Sequence, residues 1–136
     1  MLVDTDAVIL QALREHLDWS GYTFGTLRPA DLTQGLPFVM VTRLGGAAGL
    51  PSWRVSPAHV DRATYGIQAW AGPHLAHART VCRDCLHTLR MLRGTVVGSA
   101  TIVGARIVSG PFRVADAEIP AEVHRMAGSV ALTVHP

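Results

Sequence analysis

The sequence predicts an α+β domain, a mainly antiparallel sheet of four to five strands with two helices packed on it in the order α-β-β-α-β-β. Two observations carry that expectation. Residues 4–18 and 73–93 repeat apolar side chains at three- and four-residue spacing, the period of a helix with one buried face. Residues 38–44, 60–71, 100–108 and 124–134 alternate, or run apolar, over the length of a strand. Neither a repeat nor a compositional break divides the chain, so residues 1–136 read as one domain.

Each element has its own signals. In the first helix Asp4 or Thr5 is placed to cap the free amides, and Val3, Ala7, Leu10, Leu13 and Leu17 form the expected stripe. Gly21 and the turn-rich run to Gly35 end it, and Trp19 and Tyr22 are expected to cover its end. Phe38 to Leu44 is apolar on both faces, as a covered strand requires, and Gly45-Gly46 is expected to stop it. A long loop is expected from Gly45 to His59, containing the pair Trp53-Arg54.

In the next strand Ala63, Tyr65, Ile67 and Ala69 oppose Arg62, Thr64, Gln68 and Trp70, the signature of a half-buried strand. Gly72-Pro73 leads into the second helix, with Pro73 expected in its first turn and Gly94 at its end. Leu75, Ala78, Cys82, Cys85, Leu89 and Leu92 form its apolar face. Val96-Val97 could add a short edge strand. The last two strands flank a turn at Ser109-Gly110-Pro111, and residues 110–122 are expected to be irregular. Val130, Leu132 and Val134 point to one face of the final strand, and Ser129, Ala131 and Thr133 to the other.

Composition narrows the functional classes. No uninterrupted apolar run approaches the roughly 20 residues of a membrane span, and the first residues are acidic with no basic leader, so a soluble protein made in a cytoplasm is expected. All twelve basic residues are arginine, yet a net charge of +2 is too small to demand a nucleic-acid partner.

Reactive constellations are sparse. Cys82-Arg83-Asp84-Cys85 has the C-x-x-C spacing, with His74, His77 and His87 nearby. On one helix, however, His74 and Cys85 are about 16 Å apart in rise, too far for one metal ion to take both. The cysteines also sit mid-helix on the buried stripe, where no helix N-terminus lowers a thiol pKa. Core packing is the expected role, and a small metal-binding protein using Cys82 and Cys85 is the alternative. There is no phosphate-binding loop, dinucleotide motif, H-E-x-x-H or nucleophile elbow, so neither a catalytic residue nor a cofactor is expected.

The outer side of the second helix is more informative. Arg79, Arg83 and Arg90 fall within about 40° of one another on a helical wheel, with Asp84 the one acid in that helix. The bland account is a solvated face; the functional one is a stripe that meets acids of a neighbouring subunit or DNA phosphates. Trp53-Arg54 carries residue types enriched at interface hot spots.

Several segments resemble a known family. Leu36-Pro37-Phe38-Val39-Met40-Val41-Thr42-Arg43-Leu44-Gly45-Gly46 is similar to the first strand of the tail terminator (tail completion) proteins of long-tailed phages. So is the stretch from Val60 to Ala71 followed by an Ala- and Arg-spaced helix, and so is the end of the chain: Ser109-Gly110-Pro111, Asp116, then Arg125 opening the last strand. The resemblance covers about Asp4 to Val134 and rests on strand edges and turns.

What it implies is a non-enzymatic virion subunit, made in the host cytoplasm, that forms a homo-oligomeric ring, commonly a hexamer. The ring caps the head-proximal end of the tail tube, stops tube polymerisation and joins the tail to the head connector. Its partners would be the major tail tube protein and the head-tail connector, with DNA passing through the lumen without sequence-specific binding and with no membrane. Under this reading Trp53, Arg54, Arg79, Arg83, Arg90, Phe112 and Arg113 are candidate inter-subunit or tail-tube contacts. A head-tail connector or head-completion protein is the nearest alternative; a tube protein and a stand-alone DNA-binding module lie further off.

Overall fold

A computed structural model describes residues 5–17, 23–25, 37–48, 61–115 and 123–135. The elements are α1 (Thr5–His16), β1 (Thr23–Gly25), β2 (Phe38–Ala48), β3 (Asp61–Ala71), α2 (Leu75–Arg90), β4 (Thr95–Val97), β5 (Ala100–Val114) and β6 (His124–His135). The fold is α+β, as expected. One sheet of six strands runs in the order β1-β2-β3-β6-β5-β4, antiparallel throughout except where β1 lies parallel to β2. Beyond the four long strands, β4 is the short edge strand that Val96-Val97 suggested, and β1, three residues long, is too short to carry a periodic signal.

Alternation sets which residues face the helices. Along β3, Ala63, Tyr65, Ile67 and Ala69 are buried, and from β6 Val130, Leu132 and Val134 join them. α2 lies over β3, β6 and β5 and contributes Ala78, Val81, Cys82, Cys85, Leu86 and Leu89 to the same core. Its expected face is therefore correct, widened by Val81 and Leu86. Trp70, on the far side of β3, is nonetheless buried with Phe38 and Val123 in a second, small cluster. Its ring lies 5.9 Å from that of Phe38, and the Arg125 guanidinium sits 5.3 Å from the Trp70 centroid.

Other boundaries differ from expectation. The buried arc of α1 is Thr5, Val8, Ile9, Ala12 and Leu13, while Ala7 is exposed, so the helix is rotated from the predicted stripe. Thr5 is the first helical residue, and its hydroxyl donates to Asp61. Pro73 precedes the N-cap residue, His74, and so stands outside the helix. α2 ends at Arg90, and Gly94, with φ +85°, closes a separate turn whose amide donates to the Ile102 carbonyl at 2.6 Å.

Two corrections concern the long strands. Gly45-Gly46 does not stop β2, which passes a bulge between Arg43 and Gly45 and pairs with β3 as far as Ala48. Ser109-Gly110-Pro111 is not a turn between strands, because β5 runs through it to Val114. Pairing of β5 with β6 shifts register three times, at 102/104, 107/109 and 109/112, and each shift leaves an extra residue on β5. Bulges of this kind bend and twist a strand. The Ser109-Pro111 bulge is possible because Gly110 has φ +93° and lies against the backbone of Ala127 and Gly128.

Candidate functional site

At one end of the sheet a polar cluster fixes α1. Arg43 donates to Asp61 through both terminal nitrogens, at 2.7 and 2.8 Å, and Thr5 donates to Asp61 Oδ2 at 2.5 Å. The Arg43 bonds hold the Asp61 carboxyl below its usual range, against burial, which pushes the other way. Beside it the Tyr65 hydroxyl donates to Asp6, and burial, reinforced by that bond, raises the Tyr65 pKa. The cluster pairs Arg43 with Asp61 and gives Asp6 a hydroxyl donor, so its chemistry is that of a clamp between α1, β2 and β3.

On α2 the structure places Arg79, Arg83 and Arg90 on the outward side, all exposed. Arg83 reaches Asp84 at 3.8 Å with its side chain 63 % exposed, a surface pair that contributes little. Cys82 and Cys85 are fully buried on the inner side. Burial pushes the Cys82 thiol up to about 12 and the Cys85 thiol higher still, so neither is a ready thiolate. Among the described residues no third His, Cys, Asp or Glu stands with them to complete a metal-ligand set.

The helix-free side of the sheet was not legible from spacing alone. Cross-strand register collects Arg62 with Thr133 and Gly104, Thr64 with Ala131 and Arg106, and Trp70 with Arg125 and Val114 onto it. Arg62 and Arg106 are exposed, whereas Arg125 is held by Gln68. The carboxylates of the described residues lie on α1, on α2 and, as Asp61, on the helix side of β3, so this surface is basic, with Phe112 and Leu44 as exposed apolar groups on it. An open depression of about 320 Å³ between Arg93, Arg106, Ala131 and Thr133 lies at its edge, with no carboxylate, thiol or imidazole in its lining.

Phe112 and Arg113 are both exposed on β5 and point to opposite sides of the sheet, Phe112 to the helix-free side with Ala127 and Arg113 to the helix side with Met126. Phe112 is therefore not brought together with the α2 arginines. Trp53 and Arg54, like most of the expected 45–59 loop, lie outside the described residues, as do Asp116 and Glu118. Among those residues no helix is long and apolar enough to cross a membrane.

No protein-family model matches the chain, and no curated protein does. Among solved structures, a chain of the virion of a native gene transfer agent particle is similar over 96 % of this chain and 93 % of its own, with a TM-score of 0.55 and 15 % identity. At that identity the likeness is one of fold.

Proposed function

We propose that the protein is a structural virion subunit of the tail-terminator kind: a ring-forming, non-enzymatic protein that caps the tail tube and joins it to the head connector. The observation that carries this reading is the near end-to-end fold likeness to a chain of a gene transfer agent virion. The resemblance of the segments 36–46, 60–71 and 109–125 to tail terminators supports the finer assignment.

Charge distribution fits an assembly. The described residues hold ten arginines against four carboxylates, and the remaining segments hold two against six. Residues 116–122 alone carry Asp116, Glu118 and Glu122 with no basic residue. In this reading Arg79, Arg83 and Arg90 form a contact surface for an acidic stretch of a neighbouring protein, where partial desolvation would strengthen charge-assisted bonds.

Depletion of the protein during particle assembly is the decisive experiment. Overlong tail tubes are expected for a terminator. Tails of normal length that lack heads would move the assignment to a connector or head-completion protein, and normal particles would refute both. Light scattering on the purified protein should give a closed oligomer, with six copies expected.

A further inference from the structure

The strongest unexplained feature of the fold is where its exposed apolar side chains lie. Among the described residues six large hydrophobics are exposed: Leu44, Met91, Val96, Val103, Val108 and Phe112. All but Met91 belong to the two outer flanks of the sheet, β2 on one side and β4-β5 on the other. Val103 and Val108 are the extra residues at two of the β5 bulges, 45 % and 49 % exposed. Bulges normally blunt an edge against unwanted pairing. Here they leave valine, not charge, exposed on the flank.

Each flank is also covered at one end only, over three residues. β4 pairs with β5 at Ala100–Ile102 and leaves the stretch from Val103 to Val114 without a strand beyond it among the described residues. β1 pairs with β2 at Phe38–Met40 and leaves Val41 to Ala48 open in the same sense. The covered stretches lie at opposite ends of the sheet, since Ala100–Ile102 and Ala48 share the end marked by Asp61 and Val134, while Phe38–Met40 and Val114 share the end marked by Trp70 and Arg125.

We propose that the open stretch of β5 docks against the open stretch of β2 of a second copy of this chain, head to tail. Three features select that occupant. The two openings are complementary: a second copy displaced along the strands brings its open β2 stretch to the open β5 stretch, and its β1 then sits beyond the end of the first copy's β5. The strands meet antiparallel, because β5 and β2 run in opposite directions within one sheet. Apolar groups flank the join: Val108, 49 % exposed, lies near the middle of one opening, and Leu44, 60 % exposed, is the bulge residue in the middle of the other, its side chain lying over Gly66 on the helix-free face. A head-to-tail contact of this type is heterologous and closes into a ring when its rotation permits, with the displacement absorbed by strand tilt as in a closed barrel. The inference rests on the ring reading for closure alone; the edge contact itself does not require it.

Cysteine cross-linking tests it on the full chain, whose native Cys82 and Cys85 are buried. An equimolar mixture of Val108→Cys and Leu44→Cys, oxidised under mild conditions, should give a cross-linked dimer, and the double variant carrying both should give a ladder of higher multimers. Phe112→Cys in place of Val108→Cys covers a register shifted along the edge. Products from either single variant alone would indicate a symmetric edge contact and overturn the proposal, as would no product from any pair. A light-scattering ring without cross-links removes the edge contact and leaves the ring reading standing. Cross-linked open chains without a closed ring do the reverse.

Discussion

Asp61→Ala offers a quantitative test of how α1 is held to the sheet. The substitution removes two charge-assisted bonds from Arg43 and one from Thr5. The Asp61 side chain is 10 % exposed and that of Arg43 33 % exposed, so the pair lies between a surface bridge worth under about 1 kcal/mol and a buried one whose breaking costs about 3–5 kcal/mol. Bonds to charged groups contribute about 1.5–3 kcal/mol in mutational series. A loss of about 2–3 kcal/mol follows, or a fall in Tm of roughly 6–12 °C for a domain of this size. Urea denaturation at fixed protomer concentration measures it, since assembly would make the midpoint depend on concentration. In a double-mutant cycle Arg43→Ala and Asp61→Ala should couple by about 1 kcal/mol or more. A single-variant loss below about 0.5 kcal/mol, or additive singles, would refute the clamp.

The same group gives a pH signature. The folded Asp61 carboxyl titrates below its ordinary 3.8, so its contribution is fully present above that value and is lost as pH falls through the folded pKa. The stability gap between the wild type and Asp61→Asn should therefore be flat from neutral pH to about 5 and narrow below about 4. A gap that widens on acidification would contradict the assignment.

Gly110→Ala should destabilise by about 3 kcal/mol or more, read by thermal melting, because φ is +93° and a Cβ would lie 2.5 Å from the Gly128 Cα. Gly128→Ala should cost about 1–3 kcal/mol, since its Cβ would come within 2.5 Å of Leu86 Cδ1 and 2.9 Å of the Ser109 carbonyl. Cys82 and Cys85 should resist an aromatic disulfide reagent at pH 8 until the chain is unfolded. With the Cys82 thiol near 12, only on the order of one in ten thousand would be ionised, and both are shielded.

The periodic elements were legible because burial on one face imposes a period. Ala78, Cys82, Cys85 and Leu89 on α2, and the alternating residues of β3 and β6, needed no knowledge of the rest of the molecule. The misplacements came from residues whose meaning depends on a distant partner. Gly110-Pro111 reads locally as a turn, yet Gly128, eighteen positions on, supplies the bare backbone against which Gly110 can lie flat within the strand pair. Gly45-Gly46 reads as a stop, whereas β3 continues to pair with it. In α1 the apolar residues occupy more than one stripe, and the contact of Thr5 with Asp61, 56 positions away, selects the arc centred on Val8, Ile9 and Ala12. The basic helix-free surface exists through register alone: Arg62 and Arg106 share it because β6 lies between their strands.

If neighbouring copies join through the edges of the sheet, the two faces of the domain are forced apart in role. A ring closed through β5 and β2 turns one face inward and the other outward. The helix layer needs the larger circumference, so the sheet side faces the lumen. This puts Arg62 and Arg106 inside and Arg79, Arg83 and Arg90 outside, which separates two arginine sets that composition cannot distinguish. Binding of short duplex DNA by the assembled protein should then weaken on replacing Arg62 and Arg106 by glutamine. The slope of log affinity against log salt should fall by roughly 1 for each phosphate contact removed. The Arg79, Arg83 and Arg90 triple replacement should leave that slope unchanged and weaken association with an acidic protein partner instead. Equal loss of DNA binding from both sets would mean that the ring does not close through the sheet edges in this orientation.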